Sequence, residues 1–265
     1  LNQHMDELLP ILANCLGLER DAHMRLGLLK VVDQLFEDEE RGSAFRSHSH
    51  DVVMQLLVAP AVWRSGKTAA AVRYHAIRAL GTFLERKLIT PEELHGIISQ
   101  GGDVKLLSVV HTCMEEDYYA DTRRVGVYAL QQVLLVAGPH LDGEERRQIY
   151  PEILKRLDDS NDGIRLATTG CITAFFSTLN QSYDDTNTGY FLDGIIVHMD
   201  DADPSIQEGI CAALQEAARI KPEVVEEKVL SVRARHRSPV YCDRVLEACT
   251  VGKQNPQERG SNFKF

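Results

Sequence analysis

Six short segments of this 265-residue chain carry residue types that could do chemistry. Ser65-Gly66-Lys67-Thr68 ends like a phosphate-binding loop, in which a glycine-rich turn between a strand and a helix cradles phosphate oxygens with backbone amides. Here the first glycine position is Ala61, Trp63 sits inside the loop and no strand pattern precedes it. Those departures favour a loop between helices, with Thr68 near a helix cap. His48 and His50 could reach one metal ion, but zinc needs three or four ligands in supporting spacing, and a polar helix start is the better reading. The carboxylate pairs Asp158-Asp159, Asp184-Asp185 and Asp200-Asp201 could serve acid–base work or calcium. The first and third recur inside helix-starting turns, so capping is expected there. The second lacks the glycine and downstream glutamate of a calcium loop. Arg233, Arg235 and Arg237, around His236, form a basic cluster that could contact an acidic protein or complement a helix C-terminus. The adjoining Ser238-Pro239 could be a phosphorylation site. No catalytic grouping, cofactor motif or metal set can be assembled from these pieces.

Composition narrows the classes further. A hydrophobic fraction of 44% suffices for a continuous core, and a formal charge of −10 opposes the clustered cations that nucleic acid or an anionic membrane requires. No apolar run is long enough to span a bilayer. The six cysteines are scattered, several within apolar helical stripes, so a reducing compartment is expected. The chain opens at Leu1 inside a helical pattern, without a methionine or signal peptide, and is expected to be part of something longer.

The elements that position these residues follow a period. Arg25, Arg73, Arg123, Arg165 and Gln207 are spaced by 48, 50, 42 and 42 residues, each just inside an expected helix. Six residues before them stand Glu19, Lys67, Asp117, Asp159 and Asp201, four acids among five. Periods of this length in an all-helical pattern mark a solenoid of stacked helix pairs. Repeats are expected near 1–38, 43–87, 90–138, 142–180 and 184–220, with closing helices over 222–250 and an unstructured tail over 251–265. In the second helix of the first repeat, Met24, Leu28, Val31, Val32 and Leu35 follow the spacing of one buried stripe. Thr90-Pro91-Glu92-Glu93 reads as a cap, a first-turn proline and a capping glutamate. Asp203-Pro204 reads likewise as a cap and first-turn proline. The acid at minus six and the arginine at zero are expected to form a ladder. The acid sits near the second helix's N-terminus, and the arginine reaches that carboxylate or the one in the next repeat.

This pattern resembles HEAT repeats, which carry proline in the first helix, aspartate in the turn and Val-Arg in the second helix. Pro151, Asp159, Ile164 and Arg165 occupy all four positions, whereas Gln207 and Asp193 depart from them in the next repeat. The stretches LDDSNDGIRLA (157–167), HMDDADPSIQEGI (198–210) and VRARHRSPVYCDRVLEA (232–248) resemble more narrowly the HEAT-repeat factors that preassemble axonemal dynein arms. That resemblance covers about the last 110 residues. It implies a non-enzymatic cytoplasmic scaffold that binds dynein chains, other assembly factors or chaperones, with no catalytic residues to carry over. Alternatives are a transport receptor or phosphatase regulatory-type scaffold, and an enzyme reading as a HEAT-like lyase or hydroxylase. The hydroxylase needs paired His-Glu ligands, which His95, between Leu94 and Gly96, does not offer.

Overall fold

The computed structural model describes residues 4–254. The fold is all-α, and the helices divide between two compact units, Leu1–His140 and Leu141–Phe265. No helix among the described residues is long and apolar enough to cross a membrane.

The first unit holds α1 (Met5–Cys15), α2 (Ala22–Glu37), α3 (Glu39–Ser43), α4 (Ser49–Asp51), α5 (Ala59–Ala61), α6 (Lys67–Glu85), α7 (Pro91–Ser99), α8 (Leu106–Met114) and α9 (Ala120–Ala137). Between α4 and α5, Val52–Val58 is a π-helix. Its wider turn matches the burial of Val52, Val53, Leu56, Leu57 and Val58, a spacing of four to five rather than 3.6. The long second helices α2, α6 and α9 pack side by side in that order. The second unit holds α10 (Gly143–Leu157), α11 (Asp162–Ser177), α12 (Asp185–Ile196), α13 (Pro204–Ile220), α14 (Pro222–Arg233) and α15 (Pro239–Gln254), with α11, α13 and α15 stacked likewise.

Local chemistry sets most boundaries. Thr90 and Glu93 form a reciprocal capping box with Pro91 in the first turn of α7. Asp142 and Glu145 do the same for α10, and Asp203 accepts the Ser205 N–H ahead of Pro204. Small residues let the second helices approach: a Cβ at Gly209 of α13 would fall 2.4 Å from the Thr169 hydroxyl of α11.

Three expectations change. The turn acids Asp159 and Asp201 are not the helix caps; Asn161 and Asp203 are, while Asp159 and Asp201 accept the N–H of the residue two ahead and brace the turn. The last helix runs to Gln254, so residues 251–254 are helical, because Cys249 and Gly252 keep a buried contact face going; the remainder of the expected tail lies outside the described residues. The expected stripe of α2 is shifted. Arg25, Leu29, Val32 and Phe36 are buried, whereas Met24 and Val31 are 42% and 50% exposed and Leu28 and Leu35 are half-buried. At the positions equivalent to Met24 and Val31, the later second helices bury Val72 and Ala79, Thr122 and Ala129, Ile164 and Cys171, and Ile206 and Ala213. The helix α2 thus carries two apolar stripes one residue apart, and its neighbours α1 and α6 cover mainly one of them.

Candidate functional site

The ladder positions share one contact, and it is to a carbonyl rather than to the acid six residues back. Arg25 Nε donates to the Leu16 carbonyl (3.0 Å), Arg73 Nη1 to Arg64 (2.6 Å), Arg123 Nη1 to Glu116 (2.9 Å), Arg165 Nε to Leu157 (2.8 Å) and Gln207 Nε2 to Met199 (3.0 Å). Each carbonyl lies at or just beyond the end of the preceding helix, where backbone acceptors have no intrahelical donor. The second helix therefore caps the first. A neutral amide can do this, which explains Gln207. Replacing Gln207 with arginine is expected to leave stability within about 0.5 kcal/mol, whereas Gln207→Leu should cost about 1 kcal/mol, checked by urea unfolding.

Carboxylates enter across repeats. Arg73 Nη2 pairs with Glu116 at side-chain exposures of 3% and 5%, and Arg165 Nη2 pairs with Asp201. The expected rung Asp117 is exposed, and its buried neighbour Glu116 takes the role. Glu19 is exposed as well, and Asp159 pairs with Arg156 (3.0 Å) rather than Arg165.

The Asp200-Asp201 pair is a junction. Asp201 accepts from Arg165 and the Asp203 N–H and lies 3.6 Å from His198. Asp200 accepts the Arg237 N–H (3.0 and 3.2 Å) and lies 3.3 Å from His236, while Arg237 Nη2 donates to the Asp200 carbonyl (2.6 Å). Burial pushes both carboxyls up, but the backbone N–H donors and nearby cations outweigh it and hold both below the usual range. A folded-state value below the unfolded one gives stability that is complete above about pH 4 and is lost as pH falls through the folded value. Asp201→Asn is therefore expected to destabilise the second unit at pH 7 and to converge with the parent protein as pH falls through the lowered folded-state value, read from denaturation at stepped pH.

The basic cluster is largely spent within the chain. Arg233 forms a two-point pair with Asp243 (2.6 and 3.1 Å), Arg237 holds Asp200, and Arg235 reaches the Ser231 carbonyl (3.3 Å) while remaining exposed. His48 faces Asp6 (3.5 Å), and His50 bonds Gln100 (3.2 Å). The Asp184 side chain caps α12 through the Asn187 N–H, and Asp185 pairs with Lys221 (2.6 Å).

A surface suited to contact lies in the first unit, where the loop before α6 faces the loop before α9. Trp63, the only tryptophan, is 57% exposed and Tyr118 is 85% exposed. They bound a groove of about 500 Å³ floored by Ala70 and the Arg73–Glu116 pair. A second groove of about 450 Å³ continues past Tyr119 to Tyr74, with Lys67 and Ala70 common to both. Gly66, at φ +103°, turns the chain into α6 without a side-chain cap, so Ser65-Gly66-Lys67-Thr68 forms the groove wall and the start of a helix. Exposed aromatic rings over a well-packed floor are characteristic of protein-contact anchors. The periodic positions Lys67, Arg73 and Asp117 line this surface, and the lone Trp63 beside them in the loop is the sequence signal that sets it apart from the other repeats.

Residues 106–245 match the family model described as stalled ribosome sensor GCN1-like, HEAT repeats. The chain is similar to Dynein axonemal assembly factor 5 of Xenopus laevis, 29% identical over 89% of this chain and 28% of that protein. It is similar to the Homo sapiens protein of that name at 27% identity, over 93% of this chain and 29% of that protein. The chain thus spans less than a third of the relatives it matches. Among solved structures, a designed armadillo repeat protein superposes with a TM-score of 0.63 at 16% identity, covering 91% of this chain and 99% of that one. The fold is therefore an α-solenoid of the HEAT and armadillo type.

Proposed function

Because this chain belongs to the stalled ribosome sensor GCN1-like HEAT-repeat family, we propose that it is a non-enzymatic scaffold that holds client proteins during the cytoplasmic assembly of axonemal dynein arms, alongside chaperones. The observation that carries the reading is its similarity, over about nine-tenths of its length, to proteins named as dynein axonemal assembly factors. The buried and half-buried ladder side chains Arg25, Arg73, Arg123, Arg165 and Gln207 are each committed to a backbone carbonyl of the fold, which fits a structural rather than a chemical role. The Trp63–Tyr118 groove is the contact surface: its aromatic rings supply apolar area at little entropic cost, and Lys67, Glu115 and Asp117 supply polar register. The same resemblance points to dynein chains as the clients and to no nucleic acid, membrane or small-molecule substrate.

The test is binding of purified axonemal dynein chains to the intact protein and to a Trp63→Ala, Tyr118→Ala variant. Loss of affinity of about tenfold or more in the variant, with an unchanged circular dichroism spectrum, is the expected result. Equal binding by both proteins would remove the groove from the reading, and absence of binding to any dynein chain would remove the reading itself.

A further inference from the structure

Residues 234–238 join α14 to α15 and bring Ser238 to the start of a 16-residue helix, with its carbonyl accepting the Tyr241 N–H (3.3 Å). Ser238 is half-buried, its neighbours Arg237 and Pro239 are exposed, and its hydroxyl has no hydrogen bond among the described residues. The segment is fastened to the 197–200 turn by Asp200, through the Arg237 N–H and guanidinium. The His236 ring, 6% exposed, presents Nδ1 to the same carboxylate at 3.3 Å without a hydrogen bond of its own. Arg235 adds an exposed cation two residues from Arg237. The spot is thus built to hold anionic oxygen, one carboxylate occupies it, and a free hydroxyl followed by proline stands next to it.

We infer that Ser238 is a phosphorylation site whose phosphate displaces Asp200 from Arg237 and unfastens the α14–α15 connection from the 197–200 turn. A proline-directed protein kinase supplies the group. The Ser238 hydroxyl oxygen attacks the γ-phosphorus of ATP, the bond to the β-bridging oxygen breaks, ADP leaves and the hydroxyl proton passes to solvent through the kinase's base. The product carries close to two negative charges and three acceptor oxygens. It takes the N–H groups at the start of α15, where the helix dipole favours it, together with the Arg237 guanidinium. Asp200 is then repelled by a like charge at the position it had filled.

The experiment treats the full chain with ATP and a proline-directed kinase, maps phosphate by mass spectrometry and follows amide hydrogen exchange. One phosphate at Ser238 is expected, with exchange at 197–201 and 234–238 faster by about tenfold and little change elsewhere. Ser238→Ala should accept none at that site, and Asp200→Asn should show the faster exchange without kinase. No phosphate at Ser238 in the folded chain, when a peptide of residues 232–245 is modified by the same enzyme, overturns the site. Phosphate at Ser238 with unchanged exchange overturns the release.

Discussion

Replacing Glu116 with alanine is expected to destabilise the first unit by about 3–5 kcal/mol, because it leaves the Arg73 guanidinium charged and buried without its carboxylate. Both side chains are almost inaccessible, at 3% and 5%, so water cannot take the place of the lost partner. Arg73 also donates to the Arg64 carbonyl and lies 5.9 Å from the Trp63 ring centre, which ties the helix stack to the groove wall. The double substitution Arg73→Met, Glu116→Leu should cost less than the single change, since it removes the stranded charge together with its partner. Urea unfolding with hydrogen exchange resolved to residues 60–120 reads both. Equal losses in the single and double variants would show that the pair does not set the stability of this stack.

Arg146→Ala is expected to cost the second unit about 3 kcal/mol and to lower its melting temperature by about 10 °C. Arg146 is 1% exposed, and burial pulls its guanidinium down to about 10. It donates to the carbonyls of Phe175 (3.2 Å) and Thr178 (2.5 Å) at the end of α11, and its guanidinium lies 5.0 Å over the Phe175 ring. Truncation strips charge-assisted donors from two buried acceptors and opens a void beside the Phe175, Phe176 and Phe191 cluster. Arg146→Lys retains a cation and should recover about half of the loss. Calorimetry of the intact chain checks the series; a melting point within about 2 °C of the parent for Arg146→Ala would rule out this role.

The helix pairs were legible because a solenoid writes its period into the chain. The turn residues at Asp159 and Asp201 and the donors at Arg165 and Gln207 recur once per repeat, and capping residues such as Thr90 and Asp203 act within three positions of themselves. What those donors grip was not legible. A carbonyl acceptor leaves no mark in the sequence, so the spacing predicts only a carboxylate partner, in the same repeat or the next; the next-repeat partner is present at Arg165–Asp201, while Gln207 signals that charge is not required. Glu116 and Asp117 are adjacent acids, and only packing shows which one is buried. Arg146 and Lys221, which serve helix ends from outside the periodic positions, carry no spacing signal. The α2 stripe failed for a related reason: apolar residues at both Met24 and Arg25+4 registers give two equally good helical faces, and the neighbours decide which is covered. The contact surface lies between loops at the ends of α6 and α9, where local pattern is weakest; Trp63 and Tyr118 are 55 residues apart in the chain and meet only in the folded unit.

Crosslinking mass spectrometry on the native complex from ciliated cells tests the scaffold most directly, since Lys67 lies in both grooves and carries a reactive amine. Crosslinks from Lys67 to an axonemal dynein chain are expected, lost when Trp63 and Tyr118 are both replaced by alanine. Crosslinks to other proteins with none to any dynein chain would contradict it.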